Sequence, residues 1–99
     1  MKFDRDTKIL IVGLGLIGGS YAEALSSGGY EVGAIDCNAD SIAFALEKGW
    51  ISSGRADTDG EYIGKFDLIV FALYPHIFID WIKQNQRFIR PGALLTDVT

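Results

Sequence analysis

The 99 residues predict an α/β fold built on a parallel sheet, and three observations carry that prediction. Two near-continuous apolar runs, ILIV (residues 9–12) and FDLIVFAL (residues 66–73), lack the polar alternation of a half-solvated strand. Each therefore reads as a strand covered on both faces. The first run feeds into Gly13-Leu14-Gly15-Leu16-Ile17-Gly18, a G-x-G-x-x-G turn that opens a helical pattern. Strand-like and helix-like stretches then alternate to the end of the chain, the mark of βαβ units. Together these features predict a Rossmann-type parallel sheet of about five strands in the order 3-2-1-4-5, with helices on both faces.

Residues 1–7 are polar and read as a lead-in to the first strand. Beyond the glycine turn, Ile17, Tyr21, Ala24 and Leu25 recur at helical spacing and predict a core-facing stripe. Ser26-Ser27-Gly28-Gly29 stops that helix, with Gly28 or Gly29 as the left-handed cap. Residues 30–35 form the second strand, which ends on Asp36. Asn38 is a suitable N-cap for a helix with Ile42, Ala45 and Leu46 on one face, closed by Gly49. Residues 50–53 read as a short third strand, and Thr58-Asp59-Gly60-Glu61 has the capping-box pattern of a single helical turn. The second apolar run is the fourth strand. Pro75 suits the first position of a helix bearing Phe78, Trp81 and Ile82. Pro91-Gly92 turns the chain into a last strand over residues 93–96. Trp50 and Trp81 fall within these patterns and are expected in the core or at an interface.

Hydrophobic residues make up 48% of the chain and charged residues 22%, an ordinary globular composition for one small domain. A net charge of −4 without any Lys/Arg cluster argues against a nucleic-acid partner. The single cysteine, Cys37, rules out an internal disulfide and suits a reducing cytoplasm, which is the expected location. No basic segment precedes an apolar one, and glycines interrupt the longest apolar run. The sequence therefore predicts neither a signal peptide nor a membrane span.

The glycine turn has a chemical reading. Gly13 allows the tight turn off the strand, Gly15 lets backbone approach a pyrophosphate, and Gly18 lets the helix lie close to the sheet. The helix that begins with Leu16 and Ile17 then points its N–H groups and positive dipole end at the anion. Asp36 ends the second strand 18 residues past Gly18, near the offset of about 20 at which such acids bind the adenosine ribose. Its carboxylate can accept from both ribose hydroxyls, each charge-assisted bond contributing on the order of 1.5–3 kcal/mol. A 2′-phosphate about 4 Å away would instead be repelled by roughly 1–4 kcal/mol. Neither Cys37 nor Asn38, beside the ribose, supplies a cation to receive it, so NAD is predicted over NADP. Ala72, Leu73, Tyr74 and Pro75 leave the fourth strand at the switch point, where backbone passes the cofactor's ribose and pyrophosphate. Tyr74 suits stacking near a nicotinamide and suits plain packing equally. Cys37 has no metal or redox partner and reads as a packing residue. His76, the only histidine, falls in a helical first turn with no carboxylate near it in sequence, and is read as solvated rather than catalytic. No metal site is predicted.

The stretch GLGLIGGSYAEAL (residues 13–25) resembles the opening of the prephenate/arogenate dehydrogenase family, whose turn reads G-L-G-L-I-G-G-S. Asp36, ALEKG (residues 45–49), FALYP (residues 71–75) and PGALLTDVT (residues 91–99) continue the likeness in order. The last of these looks like the family's P-G-x-x-x-T-D-x-x-S-x-K segment. The resemblance implies an NAD-dependent oxidation of prephenate or arogenate in tyrosine biosynthesis. Hydride leaves the ring carbon that bears the hydroxyl, a base takes the hydroxyl proton, and carbon dioxide departs as the ring becomes aromatic. The resemblance also implies that the family's catalytic histidine, serine and lysine would fall beyond Thr99, leaving no catalytic residue here. On this reading residues 1–99 are a truncated dinucleotide-binding domain, without the helical domain that completes the substrate pocket and a homodimer. Two other readings fit the residues. One is the NAD-binding domain of another two-domain hydroxy-acid or imine reductase, and the other is a non-catalytic nucleotide-sensing domain.

Overall fold

The computed structural model describes residues 4–98. Its strands are β1 (Lys8–Val12), β2 (Glu31–Ile35), β3 (Ser53–Arg55), β4 (Leu68–Phe71) and β5 (Leu94–Asp97). Its helices are α1 (Leu16–Ser27), α2 (Ala39–Glu47), α3 (Gly60–Ile63) and α4 (Pro75–Asn85), with a 3₁₀ turn at Gln86–Phe88. The strands form one parallel sheet in the order β3-β2-β1-β4-β5, as the alternation of elements predicts.

The unbroken apolar run of β1 follows from its central place. Ile9 and Ile11 face one way and pack with Ala22 of α1, Val32 and Ala34 of β2, and Ile42 and Ala45 of α2. Leu10 and Val12 face the other way, into Ile35, Tyr62, Ile63, Phe66, Ile69 and Phe71. The sheet thus separates two cores, and a strand buried on both sides has no position for a polar residue. Each fully buried Ile or Leu contributes about 1.5–3 kcal/mol relative to exposure. On the second face, Phe78 and Trp81 of α4 lie edge-on to Phe71 at 4.7 and 5.2 Å between ring centroids.

Several expectations are corrected. The face that α1 turns to the core is Gly18 and Ala22, with Leu25 packed beside them, whereas Ile17 and Tyr21 are 46% and 42% exposed and Ala24 is also exposed. The cause is proximity: a Cβ at Gly18 would collide with the Gly13 carbonyl, so α1 lies too close to the sheet for large side chains on that face. The third strand spans Ser53–Arg55 rather than residues 50–53. Ile51 is drawn into the core beneath α2, and the parallel register begins at Gly33 opposite Ser53. The cap of α3 is Asp59 rather than Thr58, its Oδ1 accepting the Glu61 and Tyr62 N–H groups at 3.1 and 3.2 Å.

On α2, Ile42 and Ala45 face the core as expected, whereas Leu46, expected beside them, is 44% exposed. Asn38 Oδ1 accepts the Asp40 N–H at 2.9 Å and caps α2, and Pro75 opens α4. Gly29, with φ +91°, is the left-handed residue after α1. Of the expected lead-in, residues 1–3 lie outside the described residues, as does Thr99 of the closing segment. Thr7 is buried, and its Oγ1 accepts the Asp4 N–H at 2.9 Å in a turn before β1. At the amino edge of the sheet, Asp67 ties three segments. Its Oδ2 accepts the Lys8 N–H at 3.0 Å and its Oδ1 pairs with Arg90 at 2.6 Å.

Candidate functional site

Because every strand is parallel, the carboxyl ends of β1, β2, β3 and β4 share one edge, where ligands of open α/β sheets sit. At that edge Gly13 turns the chain with φ +98°, its N–H donating to the Ile35 carbonyl at 2.8 Å. A Cβ on Gly13 would stand 2.6 Å from the Ala72 carbonyl oxygen. Gly13 and Gly18 are therefore required by the protein's own packing. Gly15 is different. Its φ is −67°, which any residue adopts, and a Cβ there would meet no described atom within 4 Å. It is also the N-cap of α1, offers no side chain to the first turn, and has no acid in that turn beside it. The N-terminal N–H groups and positive dipole end of α1 thus open onto the space that Gly15 leaves bare.

Across from this turn stands Asp36. Its Oδ2 accepts the Leu14 N–H at 2.6 Å, its Oδ1 accepts the Asn38 N–H at 2.8 Å, and its own N–H donates to the Arg55 carbonyl at 3.2 Å. Beside it opens a cleft of about 370 Å³ floored by Val12, Gly13 and Ile35. Its walls are Cys37, the β3–α3 loop (residues 56–58), Leu73, and Ile77 and Trp81 of α4. Apolar walls with a carboxylate at the rim suit a flat base joined to a hydroxylated sugar.

The predicted residues distribute around this edge as follows. Gly13, Asp36, Cys37 and Leu73 line the cleft, and Asn38 joins it through its N–H to Asp36. Cys37, expected as a packing residue, is instead exposed on the cleft wall. Gly15 and Leu16 border a second, apolar cavity of about 640 Å³ between α1 and α2. Ile17 is exposed, and Gly18 is buried under the turn. Ala72 donates its N–H to the Val12 carbonyl at 2.9 Å and fixes β4 beside β1. Tyr74 and Pro75 project into solvent at the start of α4, so Tyr74 is not a core-packing residue. His76 is exposed next to them, matching the solvated reading.

Residues 56–58, Ile77 and Trp81 were not singled out as site residues from sequence. The topology carried a signal for the first group, since a loop leaving the carboxyl end of a strand beside β2 must border the same edge. Arg55 is also near Asp36, but its guanidinium is turned away. It lies 4.4 Å from the Tyr62 ring centroid, donates to the Gly54 carbonyl at 2.9 Å and pairs with Asp59 at 3.8 Å. Among the described residues no His/Cys/Asp/Glu group could hold a metal, and no helix is long and apolar enough to cross a membrane.

The sheet order, the glycine turn and the acid after β2 define the Rossmann type of α/β fold. Solved structures narrow the likeness further. The arogenate dehydrogenase of Synechocystis superposes with a TM-score of 0.86 at 24% identity over 94% of this chain. The prephenate dehydrogenase of A. aeolicus, solved with hydroxyphenyl propionate and NAD+, superposes with a TM-score of 0.81 at 28% identity over 97% of it. A 3-hydroxyisobutyrate dehydrogenase of Mycobacterium tuberculosis has the same fold, with a TM-score of 0.78 at 22% identity over 93%. The chain spans only about a third of each of these, 33%, 34% and 31% of their lengths respectively. No protein-family model and no curated protein matches the chain. The resemblance to prephenate and arogenate dehydrogenases read from the motifs is therefore met again in three dimensions.

Proposed function

We propose that this chain binds NAD(H) as the cofactor-binding part of an oxidoreductase of the prephenate/arogenate dehydrogenase kind. The observation that carries the reading is Gly15. Neither its backbone angle nor any neighbouring atom calls for a glycine, and the bare backbone leaves the uncapped end of α1 open to a ligand's close approach. A pyrophosphate fits that place, and Asp36 stands where the adenosine ribose of the same molecule would present its diol. Bound there, the nicotinamide would supply the hydride acceptor. The chain's own residues bind and orient it: Gly13, Gly15, Leu16, Ile17 and Gly18 at the turn, Asp36, Cys37 and Asn38 at the ribose, and Ala72, Leu73, Tyr74 and Pro75 beyond β4.

Fluorescence titration with NADH and NADPH tests the binding. NADH is expected to bind and NADPH to bind more weakly, because Asp36 meets the 2′-phosphate and Arg55 is turned away. Equal or tighter binding of NADPH overturns the choice of cofactor, and no binding of either overturns the reading.

The substrate of the longer parent enzyme is proposed to be prephenate or arogenate, placing it in tyrosine biosynthesis. The parent would be a cytoplasmic homodimer that meets neither membrane nor nucleic acid. Residues 1–99 supply the dinucleotide-binding part on this proposal and would not turn substrate over alone, since no catalytic residue is assigned among them. A second reading, a hydroxy-acid dehydrogenase, is favoured by the close superposition on 3-hydroxyisobutyrate dehydrogenase. Assaying the parent with NAD and each acid separates the two: turnover of prephenate or arogenate supports the first, and turnover of a 3-hydroxy acid alone supports the second.

A further inference from the structure

Asp36 does more in this fold than wait for a ribose. Its two carboxylate oxygens bridge two separate turns: Oδ2 holds the Leu14 N–H of the glycine turn at 2.6 Å, and Oδ1 holds the Asn38 N–H at 2.8 Å. Asn38 in turn caps α2 through its side chain, accepting the Asp40 N–H at 2.9 Å. One carboxylate therefore links the loop that begins α1 to the cap that begins α2. A carboxylate offers about four lone-pair sites. Two are taken by these backbone donors, which leaves about one on each oxygen for a further donor.

We propose that Asp36 is a positioning residue for the glycine turn, fixing the α1 N-terminus for a pyrophosphate independently of its contact with the ribose. The remaining lone pairs match a vicinal diol, one hydroxyl per oxygen. The ligand part of the proposal rests on the cofactor reading above, whereas the tie itself does not. Asparagine at this position would keep the shape but carry one acceptor oxygen and an N–H₂ group. It could still accept from Leu14 while losing Asn38, so Asp36→Ala, which removes both acceptors, is the change that frees the turn.

The test is a cycle between Asp36→Ala and removal of the diol, using ADP and 2′,3′-dideoxy-ADP as probes in calorimetric titrations. If the carboxylate only reads the diol, the substitution has no effect on dideoxy-ADP. If it positions the turn, dideoxy-ADP affinity falls by about tenfold or more, equivalent to at least about 1.4 kcal/mol. Unchanged dideoxy-ADP affinity overturns the proposal. Amide hydrogen exchange gives a readout that needs no ligand: in the Asp36→Ala chain the Leu14 amide is expected to exchange faster while Ile11 and Ala34 in the sheet keep their protection. Equal Leu14 exchange in both chains overturns the tie. Where wild type binds neither nucleotide, the cofactor reading fails, and Leu14 exchange alone decides for or against the positioning role.

Discussion

Gly15 offers the sharpest single-residue experiment, because the protein tolerates a side chain there and the proposed ligand does not. Gly15→Val is expected to cost about 1 kcal/mol of stability, the loss of a favoured N-cap residue of α1, with no packing conflict added to it. NADH affinity should fall about tenfold or more, equivalent to at least about 1.4 kcal/mol. A valine variant that binds NADH normally would remove the main support for a pyrophosphate at this turn. Cys37 gives an independent report from the opposite side of the site. It is the sole cysteine, it is exposed, and it lines the cleft beside Asp36. Saturating NAD should slow its alkylation by iodoacetamide several-fold. An unchanged rate would place the nucleotide elsewhere. These two residues also mark how far the sequence could be read. Gly15 was singled out by the G-x-G-x-x-G spacing, and the structure adds that nothing of the protein's own fills the place of its side chain. The setting of Cys37 was not, since burial of a thiol at a strand end depends on what loops arrive from β3 and β4.

At the level of elements, α3 and β2 fit together through a glycine. A Cβ on Gly33 would strike the Tyr62 hydroxyl and the Phe66 ring, so β2 must be bare where α3 crosses it. The Tyr62 hydroxyl lies 2.7 Å from the Ser53 hydroxyl of β3 and so fastens α3 to the sheet. Burial raises the Tyr62 pKa above its ordinary value of 10.0, with the Ser53 hydrogen bond, the Ala34 backbone and Arg55 acting in the opposite sense. A raised folded-state value means that Tyr62 contributes its stability in full below the unfolded value, and that this contribution is lost as pH climbs through the folded one. Tyr62→Phe should cost about 1 kcal/mol near neutral pH, the worth of one hydrogen bond. The gap between the two chains in urea midpoint should then narrow as pH rises above 10.0. A constant gap would mean that Tyr62 titrates alike in both states. The order of the strands was legible from two apolar runs, yet the inward face of α1 was not. Ile17 and Tyr21 look like core residues by hydropathy, while Gly18 and Ala22 are chosen for closeness, which a hydrophobic pattern does not register. The third strand was displaced for a related reason: Ile51 is apolar because it packs under α2, and strand pairing begins after it.

For the whole molecule, the coverage of the sheet is uneven. All four residues of β5 are exposed, with Leu94 and Leu95 at 52% and 46%, and β5 is an edge with no strand beyond it among the described residues. Apolar edges of this kind pair with other copies. Sedimentation velocity should show association that grows with concentration, and Leu95→Lys should suppress it; a concentration-independent monomer would contradict this. The middle of the sheet has a consequence of another kind, felt while the chain is being made. The β1 strand leaves the ribosome well before β4, although the register sets Ile9 beside Leu68. At a synthesis rate of about 5–20 residues per second, β1 waits roughly 3–12 seconds for the strand that covers its other edge. During that interval the central strand of the sheet, its side chains apolar from Ile9 to Val12, has β2 as its one strand partner and its other edge open to a wrong one.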